Sequence, residues 1–196
     1  RAKCPKLNVA IYSYGERILK ERIKNLSPQE ADADKVDLMK LYDEWILNFP
    51  TKRNVNVVGD ILSSKAQSML DYKIANKEEI YKIFDEAYRR DAASFTNPKE
   101  LYNYFKTYYE LYKDGVDGVT MEKLFTKYEE ISEKFEVESI NLSKKLDLIL
   151  KKQEAGSPLN SRELRSKRIY GINSNAIGTF LSNLNAIISK EATCKN

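Results

Sequence analysis

The chain of 196 residues contains no histidine, so the commonest general base and the commonest metal ligand are both missing. It has two cysteines, Cys4 and Cys194, and no Cys-x-x-Cys pair. A Gly-rich phosphate loop, a Gly-x-Ser-x-Gly motif and a metal-type cluster are also missing from the sequence. Carboxylates are abundant, but no motif selects one pair. We therefore expect no enzymatic activity, no cofactor and no metal site.

Long apolar runs are missing too, and none approaches the ~18 residues that a membrane-spanning helix needs. The first residue is Arg1 rather than Met, so we expect a mature or excised piece of a longer protein. A signal peptide that is not seen then says nothing about export.

Glycine and proline are scarce, at seven and five residues, which suits helices joined by short loops. Hydrophobic residues make up 42% and charged residues 32%, a balance typical of a globular chain. The net charge is +4, with acidic and basic residues mostly interleaved. One stretch is more basic, and it comprises Lys151, Lys152, Arg162, Arg165, Lys167 and Arg168.

What the sequence does contain is a phrase of apolar and acidic residues that occurs three times. It begins at Leu38, Ile80 and Leu124, with intervals of 42 and 44 residues. A period in this range indicates a repeat architecture of stacked helical hairpins. The apolar positions of each phrase share one helical face and are predicted to be buried, whereas the acidic pairs 43–44, 85–86 and 129–130 are predicted to be solvated.

Capping signals divide the chain into helices. Ser27, Asn76, Asn97 and Thr120 each stand where an N-cap is expected, and Pro28 and Pro98 follow two of them at the first helical position. The predicted hairpins cover residues 6–48, 55–92 and 98–152 within a helical region 1–154. A loop at 155–160 and a terminal helical pair at 161–196 follow. Residues 55–58 are equally compatible with an extended segment, and Gly15 predicts close approach of a neighbouring helix.

The helix that begins at Pro98 has more aromatic residues than one buried stripe can hold. Tyr102 and Tyr109, seven residues apart, share a second face. This face either packs against the next hairpin or lines a groove that holds a peptide or glycan. Candidate partner-binding residues are Tyr102, Tyr109 and Tyr112, with Arg165 and Arg168 as a second patch.

Two features leave alternatives open. The basic stretch near Tyr170 is either a solvated helix face or a site for phosphates, lipid headgroups or an acidic protein. Cys4 and Cys194 either pair with each other, which requires Cα atoms within about 7 Å, or pair outside this chain, or stay free.

Three segments resemble a known family: residues 12–20, residues 41–43 with Phe49-Pro50, and residues 95–105. Together they are similar to exported tetratricopeptide-repeat proteins of Bacteroidota, especially flavobacteria, in their amino-terminal portion. The resemblance implies an all-α, right-handed solenoid of about four antiparallel hairpins, located in the periplasm or cell envelope. The period exceeds the roughly 34 residues of a regular repeat, so irregular repeats are expected.

The sequence and the resemblance together predict a non-catalytic scaffold or adaptor that binds one or more protein partners, with a possible envelope association. The alternative is a helical-repeat module that recognises peptide or glycan in an aromatic groove. An intracellular protein associated with nucleic acid is a third and weaker expectation. The partner and the oligomeric state are left open.

Overall fold

A computed structural model describes residues 3–193 and shows an all-helical protein with one two-stranded hairpin in that range. The elements, in chain order, are α1 (Ala10–Asn25), α2 (Asp32–Asn48), β1 (Thr51–Lys52), β2 (Val55–Asn56), α3 (Val58–Asp71), α4 (Lys77–Asp91), α5 (Pro98–Lys113), α6 (Met121–Glu154) and α7 (Ser161–Thr193). They form two compact units, one ending at Phe95 and one beginning at Thr96. The sequence-based boundary at 155–160 instead lies inside the second unit.

The first unit contains α1 to α4, and each of these helices packs against the next. Its central cluster consists of Tyr12, Leu19, Ile23, Ala31, Leu38, Leu41, Tyr42 and Ile61. Gly15 lets α1 and α2 approach closely, because a Cβ there would lie 2.8 Å from Leu41 Cδ1. The close approach that this glycine predicts is therefore confirmed.

The second unit consists of three helices, α5, α6 and α7, each of which packs against the other two. Its buried side chains include Leu101, Tyr104, Phe105, Leu124, Ile131, Phe135, Ile177 and Leu184. The predicted terminal helical pair is wrong, since Ser161–Thr193 is one continuous helix. Gly171, Asn173 and Asn175 each disfavour helix by no more than about 1 kcal/mol, which does not interrupt a helix of 33 residues.

The caps predict most helix starts correctly. Asn76 forms a full capping box with Glu79, while Asn97 and Thr120 cap α5 and α6 through their side chains. At Ser27 the capping box with Glu30 also forms, but it closes a turn, and α2 begins only at Asp32. The first helix likewise starts at Ala10 rather than near residue 6, after Asn8 Oδ1 accepts the Ala10 N–H.

The segment at 55–58 is divided between two structures. Val55–Asn56 pairs with Thr51–Lys52 in antiparallel register, and α3 begins directly afterwards at Val58. Arg53 and Asn54 form the two-residue turn with φ of 51° and 64°. Positive φ at both positions is characteristic of the tight hairpin turn that matches strand twist.

The repeated phrase lies in α2, α4 and α6, and most of its apolar positions are buried as predicted, whereas Trp45, Ile83 and Tyr128 are only half-buried. Leu38, Leu41 and Tyr42 belong to the first core, as Ile80, Phe84 and Ala87 do at the second occurrence. The acidic pairs lie off this stripe and form surface ion pairs, among them Asp43 with Lys65 and Glu86 with Arg90. Their predicted role in solvation and charge pairing is confirmed.

Candidate functional site

Tyr102 lies on the face of α5 that α7 covers. Its ring is stacked on Phe180, with ring centroids 4.7 Å apart and an interplanar angle of 14°. Burial raises the pKa of the Tyr102 hydroxyl, and the carboxylate of Glu110 raises it further. Tyr102 is therefore part of the packing between α5 and α7.

Tyr109, seven residues after Tyr102 along α5, also contacts α7. Its hydroxyl donates a hydrogen bond of 2.7 Å to Glu191 Oε1, and Lys113 Nζ lies 3.3 Å from the same oxygen. The Tyr109 hydroxyl holds the pKa of Glu191 below its ordinary value; burial opposes this effect, and Lys113 adds to it. Tyr112 is half-buried, with its ring 6.5 Å from that of Tyr109. Of the two alternatives for this aromatic face, the structure shows packing, here of Tyr102 and Tyr109 against α7.

Arg165 and Arg168, unlike Tyr102 and Tyr109, lie on a solvent-exposed surface. Both are exposed on α7, together with Arg162, and none of the three side chains forms an ion pair within residues 3–193. Lys167 donates to Gln153 Oε1, and Tyr170 is half-buried. The predicted basic patch is thus present as three exposed, unpaired guanidinium groups.

These arginines belong to a longer exposed region, residues 139–176, which we call the arm. The arm contains the last part of α6, the loop and the first part of α7, and none of its residues is buried. Two contacts between α6 and α7 show how the helices run: near the start of α6 the Tyr128 hydroxyl donates to Asn185 Oδ1 at 2.6 Å, and near its end Lys152 Nζ lies 2.6 Å from Glu163 Oε1, so later residues of α6 meet earlier residues of α7. The two helices are therefore antiparallel.

The exposure of the arm follows from helix length. At 1.5 Å per residue, the 16 residues of α5 extend about 24 Å, whereas the 34 residues of α6 extend about 51 Å. A helix of 16 residues covers only part of so long a pair. The arm consequently keeps large aliphatic side chains in solvent, namely Ile140, Leu148, Leu164, Ile169 and Ile172.

The arm is also the most basic region of the chain. It contains eight lysines and arginines and three acidic residues, a net charge of +5 in a chain whose total is +4. Lys152 is paired with Glu163, and Lys167 bonds Gln153. The other six, which have no hydrogen-bond or ion-pair partner for their side chains within the described range, are Lys144, Lys145, Lys151, Arg162, Arg165 and Arg168.

A groove of about 270 Å³ runs between the two helices of the arm. Leu148, Ile149 and Tyr170 supply apolar surface, while Lys145 and Arg162 supply unpaired positive charge. Glu163 also lines the groove, but its carboxylate is engaged by Lys152 and by the Asn160 N–H, and these contacts lower its pKa. The groove therefore offers apolar contact and two cations together.

A second concavity lies in the first unit, at the β-hairpin. It has a volume of about 410 Å³ and is lined by Val9, Ser13, Trp45, Phe49, Thr51, Lys52, Arg53, Val57, Asp60 and Ile61. Tyr12 supports the aromatic wall, with its ring 6.1 Å from Trp45 and 5.7 Å from Phe49. This pocket combines apolar walls with charges of both signs.

Comparison of the chain with protein-family models, with curated proteins and with solved structures finds no match. Within residues 3–193 no group of three or more Asp, Glu or Cys side chains is placed to hold a metal ion, and no helix is both long and apolar enough to cross a membrane. Cys4 is an exposed free thiol, and Cys194 lies outside the described residues, as does the alternative in which the two cysteines pair.

Sequence reasoning missed the pocket of the first unit and the aliphatic part of the arm. Trp45 is the only tryptophan of the chain, and Arg53-Asn54 is flanked by alternating residues that favour a hairpin. Those two signals were available. A third signal concerns Ile140, which follows buried Phe135 by five residues and so lies off the stripe that Leu124, Ile131 and Phe135 form.

Proposed function

We propose that the protein is a non-catalytic scaffold or adaptor that binds a partner protein with an acidic surface through the arm. The single observation that carries the proposal is the composition of this exposed region, where unpaired cations alternate with exposed aliphatic side chains. The tetratricopeptide-type stacking of hairpins and the location in the periplasm or cell envelope, both implied by the family resemblance, belong to the same proposal.

The apolar component favours a protein partner over nucleic acid. Leu164, Ile169 and Ile172 leave 54%, 46% and 55% of their surfaces exposed next to Arg165 and Arg168. A phosphate backbone offers counter-charges for arginine but no apolar contact for isoleucine. A protein surface offers both counter-charges and apolar contact, and arginine is enriched at protein–protein interfaces.

The charge disfavours a second copy of the same arm as the partner. Two arms with a net charge of +5 each would bring like charges together, which costs free energy at an interface. The complementary surface is acidic and apolar, and it would also accelerate association through electrostatic steering. Binding should accordingly weaken as the salt concentration rises.

The test is an affinity purification, with mild crosslinking and nuclease treatment, from cells that express the protein. The arm variant carries Arg165→Glu and Arg168→Glu. The matched control carries Lys24→Glu and Lys82→Glu, which change the net charge equally at exposed, unpaired positions outside the arm. We expect the wild type and the control to retain one stoichiometric protein partner and the arm variant to lose it.

Two results would contradict the proposal. The first is a partner that the arm variant retains as well as the wild type does. The second is a binding activity that disappears on nuclease treatment, which would support the association with nucleic acid instead. A competing interaction with anionic lipid would give no protein partner and would be measured with vesicles.

A further inference from the structure

The pocket of the first unit lies away from the arm in sequence and contains a carboxylate that the fold does not use. Asp60 is in the first turn of α3, and its side chain makes no hydrogen bond or ion pair with any residue in the range 3–193. Only its backbone is bonded, since the Asp60 N–H donates to Ser94 Oγ. We propose that the pocket binds a small amphipathic zwitterion, of the kind that a short peptide with free termini provides.

The apolar part of the ligand would contact the aromatic wall. Trp45 and Phe49 are both half-buried and line the pocket with Val57 and Ile61. Tyr12 holds both rings from behind and is itself fixed, because its hydroxyl donates to the Pro5 carbonyl and accepts from Asn48 Nδ2. A wall that is already ordered loses little entropy on binding. The volume of about 410 Å³ suits a ligand of small size.

The positive group of the ligand would lie at Asp60. Burial raises the pKa of Asp60, the carboxylate of Glu16 raises it next, Lys52 lowers it and Asp91 raises it slightly. Asp60 is nevertheless exposed at the mouth of the pocket, and its carboxylate has more negative than positive neighbours and no hydrogen-bond donor from the described residues. An ammonium group supplies the missing donor and charge, and the Trp45 ring adds attraction for a cation.

The negative group would lie at the hairpin. Lys52 and Arg53 line the same pocket from β1 and the turn, and both are exposed. The turn holds Arg53 at a positive φ, which fixes the direction of the chain at this point. A purely cationic ligand would leave these two cations uncompensated, and a purely anionic one would face Asp60. A zwitterion with an apolar body satisfies both ends.

Trp45 makes binding directly measurable, because it is the only tryptophan of the chain. The probes are the dipeptide Leu-Phe, its N-acetyl form and its C-terminal amide, none of which fluoresces where tryptophan does. We expect Leu-Phe to change the emission of Trp45 in a saturable way. Acetylation should weaken binding about tenfold, and amidation should weaken it by a smaller factor.

Two variants assign the ends of the ligand. Asp60→Asn should lower the affinity for Leu-Phe to that for the acetylated dipeptide, so that the two affinities no longer differ. The double variant Lys52→Gln and Arg53→Gln should remove the difference between acid and amide. Asp117→Asn, an equivalent change at an exposed loop position, should alter none of these affinities. Far-ultraviolet circular dichroism checks that each variant is folded.

Three outcomes would overturn the assignment. One is the lack of any saturable change in Trp45 emission with all three probes. Another is equal affinity for the free and the acetylated dipeptide, and the third is an acid–amide difference that survives in the hairpin variant. The assay reports on Trp45 alone, so its result is independent of whether the arm binds a protein.

Discussion

Helix α6 is buried along its first half and exposed along its second. Leu124, Ile131 and Phe135 have no exposed surface, whereas Ile140 and Leu148 leave 54% and 70% of theirs in solvent. The charges differ in the same way. Lys134 and Glu138 are both buried and paired at 2.7 Å, while Lys144 and Lys151 on the arm are unpaired. One helix therefore provides both part of the core of the second unit and an exposed surface that carries aliphatic side chains and unpaired cations.

The difference teaches that helical periodicity identifies a face but not what covers it. The apolar residues of both halves recur at intervals of three and four, so each half is amphipathic. What separates them is the length of α5, which ends at Lys113 and covers only the first half. Exposed apolar side chains beyond the end of a covering helix are the kind of surface on which interaction sites form.

The largest expected effect comes from truncating one leucine in each half. Leu124→Ala removes a fully buried side chain and should lower the free energy of unfolding by about 2–5 kcal/mol. Leu148→Ala should change it by less than about 0.5 kcal/mol, because that side chain already contacts water. Urea denaturation followed by circular dichroism measures both. Similar losses at the two positions would mean that the arm is packed and would remove the basis of the proposed interface.

Two glycines give the next largest contrast. A Cβ on Gly59 in α3 would lie 2.0 Å from the Asp91 carbonyl oxygen, so Gly59→Ala must push α3 and α4 apart and should cost about 3 kcal/mol. Gly171 in the arm has open space at the same position, and Gly171→Ala should stabilise the helix by up to about 1 kcal/mol. Thermal melting of the two variants should move in opposite directions. A destabilising Gly171→Ala would show that α7 is not regular there.

A smaller contrast concerns two hydrogen-bonded carboxylates of α7. Tyr109→Phe removes the donor to buried Glu191 and should cost about 1–2 kcal/mol at neutral pH. The folded pKa of Glu191 is depressed below its ordinary 4.5, so this contribution is present above pH 4.5 and is lost as the pH falls through the folded pKa. The difference between wild type and variant should therefore shrink in acid.

The control for that contrast lies in the arm. Glu163→Gln breaks the ion pair with Lys152, and its melting temperature should match that of the wild type because the pair is at the surface. If Tyr109→Phe leaves the melting temperature unchanged as well, the hydrogen bond between Tyr109 and Glu191 contributes nothing to stability. The aromatic groove that the sequence left open as an alternative would then return as an explanation for Tyr109.

The sequence predicted the all-helical class, most helix starts and the buried face of the repeated phrase, because these depend on local caps and on a single periodicity. It did not predict that α7 is one helix, because Gly171, Asn173 and Asn175 suggest a break, although each disfavours helix by no more than about 1 kcal/mol. Arg165 and Arg168 were recognisable from charge alone. Their aliphatic neighbours were not, because exposure depends on the length of a helix 50 residues earlier in the chain.

The smallest expected effect distinguishes two kinds of unpaired charge. Asp60 at the pocket is unpaired and crowded, and its pKa is raised above the ordinary 3.8, first by burial and next by Glu16. A raised carboxylate pKa means that the folded state binds the proton more tightly than the unfolded state does. Ionised Asp60 therefore lowers stability, and this penalty appears as the pH rises through the folded pKa.

Asp60→Asn should accordingly raise the melting temperature at pH 7, but only slightly, because Asp60 is exposed and water screens its charge. The gain should vanish in acid, where Asp60 is protonated. Arg165→Gln in the arm should change nothing at either pH, because water solvates that guanidinium fully. A carboxylate that costs stability and is nevertheless present is what a binding site requires. Loss of stability in Asp60→Asn would instead mean that the charge serves the start of α3, where the helix dipole favours it.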